Sequence, residues 1–102
     1  MTADGKNTFN AWLLNLKDRV TRSRIATRLD RMEKGNFGDH RPIGDGLQET
    51  RIHFGPGYRI YFGEVDATLV LLLAGGDKST QSRDIKRAQR TLDQLELDDE
   101  QD

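Results

Sequence analysis

The chain contains no cysteine and only two histidines, His40 and His53. Lack of thiols excludes a disulfide scaffold and any thiolate metal site, and it fits a reducing compartment. Two imidazoles separated by a loop and a strand give neither an HxxxH nor an HExxH spacing, so no metal is expected, nor any other cofactor. Long apolar runs are missing as well: nothing approaches the roughly 20 residues that span a bilayer. The opening MTADGKNTFN lacks the basic-then-apolar order of a secretion signal, so a cytoplasmic protein without membrane contact is the expectation. No turn bearing a serine nucleophile accompanies the histidines. Gly75-Gly76-Asp77-Lys78-Ser79-Thr80 lacks the leading glycine and the spacing of a GxxxxGK[ST] phosphate loop.

What is present fits one domain. With 102 residues, 34% hydrophobic and 32% charged, the chain builds a single modest core, which leaves helix caps and strand pairing a visible share of the stability. The expected domain is 1–102, with 1–7 as a loose lead-in or at most a short edge strand, and 97–102 as an acidic tail. Net charge is unevenly placed. Residues 96–102, ELDDEQD, hold five acids and no base, so with the whole chain at −1 the preceding 95 residues carry +4.

The organising stretch is a predicted meander: Leu47 to Phe54, a Gly55-Pro56-Gly57 turn, Tyr58 to Gly63, a short turn at Glu64 to Asp66, and Thr68 to Ala74. Side chains alternate along a strand, so Ile52 and Phe54 fall on one side and Glu49, Arg51 and His53 on the other. Likewise Tyr58, Ile60 and Phe62 oppose Arg59 and Tyr61. Leu69 to Leu73 is apolar on both sides, the pattern of a strand inside the sheet rather than at its rim. Before the meander, Phe9, Trp12, Leu13 and Leu16 have helical spacing behind a Thr8 cap. Val20, Ile25, Leu29 and Met32 mark a second helix that Gly35 closes. Residues 36–45, NFGDHRPIGD, read as a loop containing Asp39 and His40, with at most a short bridge at Pro42-Ile43. Two glycines at 75 and 76 let the chain leave the sheet, and Ser79 or Thr80 caps a last helix through Ile85, Ala88, Leu92 and Leu95. The fold class is α+β: a small antiparallel sheet with an N-terminal helical hairpin packed on one face and a C-terminal helix.

Parity thus gathers Arg51, His53, Arg59 and Tyr61 on one open face, with Lys78 at the N-terminus of the last helix, where anions are favoured. These are the parts for metal-free cleavage of RNA by its own 2′-hydroxyl. Such a reaction needs a proton acceptor, charge to meet the phosphorane, and a proton for the leaving oxygen. His53 is the candidate base or acid, Arg51, Arg59 and Lys78 hold the phosphate, and Tyr61 stacks on a base or donates a proton. The plainer alternative is that Arg51 and Arg59 pair with Glu49, Glu64 or Asp66 across strands. Arg24, Arg28 and Arg31 make the second helix basic, either as a solvated face or as a ramp for RNA.

The segments FNAWLLNLKD, RIATRLDRMEKGNFGD, LQETRIHFGPGYRIYF and LVLLLAGGDKSTQSRDIKRA, spanning about residues 9–90, together resemble the HigB-like, addiction-module killer (phage-derived Gp49-like) branch of the RelE/ParE toxin superfamily. The resemblance implies a small toxin of a type II toxin-antitoxin pair, neutralised in a hetero-oligomer by its antitoxin, a small helix-turn-helix protein. It also implies an endoribonuclease that acts on mRNA at the ribosome and so inhibits translation. By position, the family's basic pair before the GYR turn matches Arg51 and His53, the arginine of GYR matches Arg59, and the basic residue after the last strand matches Lys78. A tyrosine that relatives carry early in the last helix has no counterpart at Arg83 and Asp84, which leaves Tyr61 or His53 to share its role. Alternatives of another class are a non-enzymatic inhibitor of DNA gyrase and an inactive antitoxin-binding homologue.

Overall fold

The computed structural model describes residues 3–66 and 69–101, with side chains at 9–64 and 72–95. Thr68, expected to open the last strand of the meander, lies outside the described residues, as does the side chain of Thr8. The elements are α1 (Ala3–Asn15), α2 (Arg19–Glu33), β1 (Asp39–Gly44), β2 (Leu47–Ile52), β3 (Tyr58–Asp66), β4 (Leu69–Asp77), a 3-10 turn (Lys78–Thr80) and α3 (Gln81–Gln101). All neighbouring strands are antiparallel in the order β1-β2-β3-β4, so the fold is an α+β meander with helices on both faces. No described helix is long and apolar enough to cross a membrane.

The apolar stripes explain the layers. Phe9, Ile25, Ile52 and Ile60 are buried together, with Trp12, Leu16, Leu29 and Leu72 against them, which seats the α1-α2 hairpin on one face. On the other face Leu47, Tyr61 and Leu73 pack under Ala88, Leu92 and Leu95 of α3. Asp18 caps α2: both carboxylate oxygens accept from backbone N–H groups, of Val20 and Thr21, at 3.3 Å, and the Thr21 hydroxyl donates at 2.7 Å. Gly35 then takes the positive φ of 88° that closes the helix.

The structure corrects several expectations. Residues 3–7 are the first turn and more of α1 rather than a loose lead-in or edge strand, and residues 97–101 continue α3 rather than forming a separate tail. In both cases a packed half-helix supplies the nucleus, and each further residue adds a hydrogen bond even where its propensity is poor. The expected loop at 36–45 contains β1, which pairs Asp39 with Arg51 and Arg41 with Glu49. Its turn is Asp45-Gly46, with positive φ at both residues (54° and 82°), the geometry of a tight hairpin. Pro42 is tolerated because β1 is an edge strand, where a missing N–H need not break the ladder.

Strand β4 is the opposite edge, not an interior strand. It is apolar on both sides because α1 covers one face and α3 the other: Leu72 joins the hairpin cluster and Leu73 the α3 cluster. The same sandwiching explains the two glycines, which still belong to the strand. A Cβ on Gly75 would enter the Trp12 ring, and one on Gly76 would strike the Asp84 carboxylate and the Thr80 hydroxyl. Asp77 caps the 3-10 turn that leads into α3, accepting from Ser79 N–H at 2.8 Å, and Thr80, directly before α3, donates its hydroxyl to the Asp84 carboxylate.

Candidate functional site

Helix α3 packs over Leu47 and Tyr61, and beyond it, at the Asp39 and Arg51 end, exposure rises towards the β1 edge. At that end β1, β2 and β3 set Arg41, Glu49, Arg51 and Arg59 on one side, as period two requires. Glu49 is fully buried (0% exposed), and three guanidiniums surround its carboxylate. Arg41 Nε donates to Oε1 at 3.2 Å. Arg51 Nε lies 3.2 Å from the same oxygen without the alignment of a hydrogen bond, and Arg59 Nε lies 4.0 Å from Oε2. The arginine side chains are 55%, 31% and 12% exposed respectively. One buried negative charge therefore anchors three positive ones at the edge of an open surface. The cross-strand pairing of Arg51 and Arg59 with Glu49 is real, and Asp39 near Arg51 and Asp77 near Arg59 add further counter-charges.

At the rim His53 follows directly after β2. Its Nε2 donates to Asp39 Oδ2 at 2.6 Å, and the imidazole is 71% exposed. That hydrogen bond, ahead of the nearby Arg51 and Arg28 charges, holds the Asp39 carboxyl below its ordinary range. With Nε2–H committed to a carboxylate, a neutral His53 presents Nδ1 as a lone-pair acceptor toward solvent. The acid in the pair escapes the loop reading of residues 36–45, yet the Asp45-Gly46 turn carries the missing signal. The hairpin pairs Gly44 with Leu47, and a one-residue register shift between Pro42 and Gly44 then sets Asp39 against Arg51, on the side of the histidine.

Tyr61 has the expected parity but not the expected exposure. It is a core residue, 0% exposed beneath α3, so it stacks on no base. Its hydroxyl has no hydrogen-bond partner among the described residues. Burial, reinforced by the Glu49 charge, pushes its pKa far above 10.0, which removes it as a proton donor to a leaving group. Lys78 is exposed at the start of the 3-10 turn, next to Asp77, which pairs with Tyr58 at the same end of the sheet. No hydrogen bond or ion pair joins Lys78 to the arginine cluster among the described residues.

The basic helix divides by role. Arg28 Nη1 donates to Thr50 Oγ1 at 2.6 Å and to the Arg51 carbonyl at 2.8 Å, so it is a docking bolt between α2 and β2 rather than a free RNA contact. The Thr50 hydroxyl passes its own proton to the Phe37 carbonyl at 2.5 Å. Arg24 lies over the Phe54 ring, 4.5 Å from its centroid, and Arg31 is exposed. Arg24, Arg31, Phe54 and His53 line an open groove of about 480 Å³ between α2 and the end of β2. His53 therefore stands where two basic surfaces meet. His40 is elsewhere occupied, its Nδ1 2.9 Å from the Gly38 carbonyl.

Fold and site together define a small α+β domain with a basic sheet end bearing an aspartate-supported histidine, a class suited to binding anions. The chain is 46% identical over 90 residues to an uncharacterized protein of Haemophilus influenzae, a match covering 88% of this chain and 91% of that one. It therefore belongs to the same family as that protein. No family model matches the chain, and no solved structure matches it significantly.

Proposed function

We propose that this protein is the toxin of a type II toxin-antitoxin pair, an endoribonuclease that cuts mRNA on the ribosome in the cytoplasm and is silenced by a small helix-turn-helix antitoxin. The reading rests on the likeness to HigB-like toxins, and one observation carries it: the Asp39-His53 pair sits 2.6 Å apart beside a cluster of three arginines. In this mechanism His53 Nδ1 takes the proton of a ribose 2′-hydroxyl while that oxygen attacks the adjacent phosphorus. The new O2′–P bond replaces the P–O5′ bond, leaving a 2′,3′-cyclic phosphate and a 5′-hydroxyl. Arg51 and Arg59 meet the added negative charge of the phosphorane, and Lys78 attracts the neighbouring phosphate. Since Tyr61 holds its proton, water supplies the one that the 5′-oxygen needs. The groove of Arg24 and Arg31 carries the strand onward, with phosphate contacts that give no sequence preference of their own.

The test is purified protein on translating ribosomes, with transcript ends mapped. His53→Ala and Arg59→Ala are expected to lower cleavage on the order of 100-fold or more, with folding intact by circular dichroism. Full activity in both variants would reject the site. Broken DNA with intact transcripts in producing cells would instead favour the gyrase-directed alternative, and unimpaired growth without antitoxin an inactive homologue.

A further inference from the structure

From the geometry around Glu49 we infer that this buried carboxylate is a positioning residue, which aims the Arg51 and Arg59 forks at a phosphate rather than neutralising them. The inference rests on the proposed phosphate-binding role of those arginines and assigns a part to a residue that the proposed mechanism does not use. Glu49 is 0% exposed, and the guanidinium atoms nearest its carboxylate are all Nε: Arg41 and Arg51 on Oε1, Arg59 on Oε2. Arg51 Nε and Arg59 Nε are themselves buried and have no hydrogen-bond partner among the described residues. Arg41 is hydrogen-bonded to the carboxylate through Nε, whereas Arg51 and Arg59 are held beside it by charge, at 3.2 and 4.0 Å.

A guanidinium presents donors in a planar fork, and two forks fixed side by side match the non-bridging oxygens of a phosphodiester. Free arginines would have to lose rotamer freedom on binding. Here the strands and Glu49 have already removed it. Glu49 alone does not cancel three guanidiniums, and Asp39 beside Arg51 and Asp77 near Arg59 are the further negative charges that act on the cluster. If charge alone mattered, Glu49 would be a liability, because removing it raises the positive potential.

That conflict makes the test. In Glu49→Gln the net charge rises by one and the side-chain shape is kept. RNA affinity, read with a non-cleavable 2′-O-methyl oligonucleotide, is expected to hold or rise. Single-turnover cleavage is expected to fall on the order of 10- to 100-fold, as misplaced groups do. Glu49→Asp, which keeps the charge, recovers part of the rate. Independently of any cleavage, the arginine Nε–H resonances of Arg51 and Arg59 in the wild-type protein should be protected from solvent exchange and shift with inorganic phosphate. The phosphate-induced shift should be lost in Glu49→Gln and retained in Glu49→Asp. Affinity and rate falling together, or an unchanged phosphate-induced shift in Glu49→Gln, would overturn the role. If the wild-type protein cut no RNA, the nuclease reading would fail, while the arginine resonances would still decide the positioning role.

Discussion

Tyr61 shows how burial at one residue sets the chemistry available to a whole site. A phenol in solution loses its proton near pH 10, whereas this one is enclosed by α3 and faces the charge of Glu49, so the folded protein keeps the proton well beyond that. The unfolded chain does not. As pH rises above 10.0, only the unfolded state releases this proton, so the folded state binds more protons and its stability declines with pH. Tyr61→Phe removes both the titration and an unpartnered buried hydroxyl. At neutral pH it should be as stable as the wild type or more so by about 1 kcal/mol. In urea titrations its advantage should widen steadily above pH 10, and parallel pH profiles for the two proteins would show that the hydroxyl is solvated. The face that Tyr61 occupies was legible from strand alternation, and so was the convergence of Arg51 with Arg59. Alternation names a side of the sheet, however, and not what lies across it. Only the placement of Ala88, Leu92 and Leu95 over Tyr61 turns a member of the open face into core.

Among the elements, α2 is held by a different device from α1. The first helix lies along β4 with Trp12 pressed on Gly75, a contact made of shape. The second reaches β2 through Arg28, whose two charge-assisted hydrogen bonds end on Thr50 and on the backbone of Arg51. Arg28→Ala leaves that carbonyl without its partner and should cost about 2–3 kcal/mol in chemical denaturation, while Arg24→Ala and Arg31→Ala stay within about 0.5 kcal/mol of the wild type. Equal effects for all three would mean that α2 is a solvated surface helix throughout. Sequence pattern sees five like-charged side chains along α2 and has no means of telling a bolt from a surface charge. The helices and the core meander were legible because their apolar stripes run long. Strand β1 was not, since Asp39 to Gly44 offers Ile43 as its one large apolar residue and includes a proline. It is a strand because β2 offers it a ladder, which the Asp45-Gly46 turn starts and a register shift between Pro42 and Gly44 resets.

For the whole molecule, charge distribution matters more than net charge. The chain totals −1, yet its first 95 residues carry +4, and the described structure concentrates arginines on two adjoining surfaces, the sheet end and the α2 groove. If a single RNA strand crosses both, each phosphate contact releases counterions, and affinity falls with salt by about 0.7 log units per contact per decade. Five contacts, through Arg24, Arg31, Arg51, Arg59 and Lys78, predict a slope of about −3.5 in a plot of log affinity against log KCl concentration. Replacing Arg24 and Arg31 together by alanine should flatten that slope by about 1.4. Neither residue touches the reacting phosphate in the proposed mechanism, so the cleavage rate at saturating RNA should not change. Fluorescence anisotropy with a labelled 2′-O-methyl oligonucleotide reads the slope, and single-turnover cleavage reads the rate. An unchanged slope would confine the RNA to the sheet end. A collapsed rate with the slope reduced as expected would make the groove part of the chemistry, because His53 lines the groove and stands beside the sheet end, so its imidazole is the first group that a displaced strand would leave.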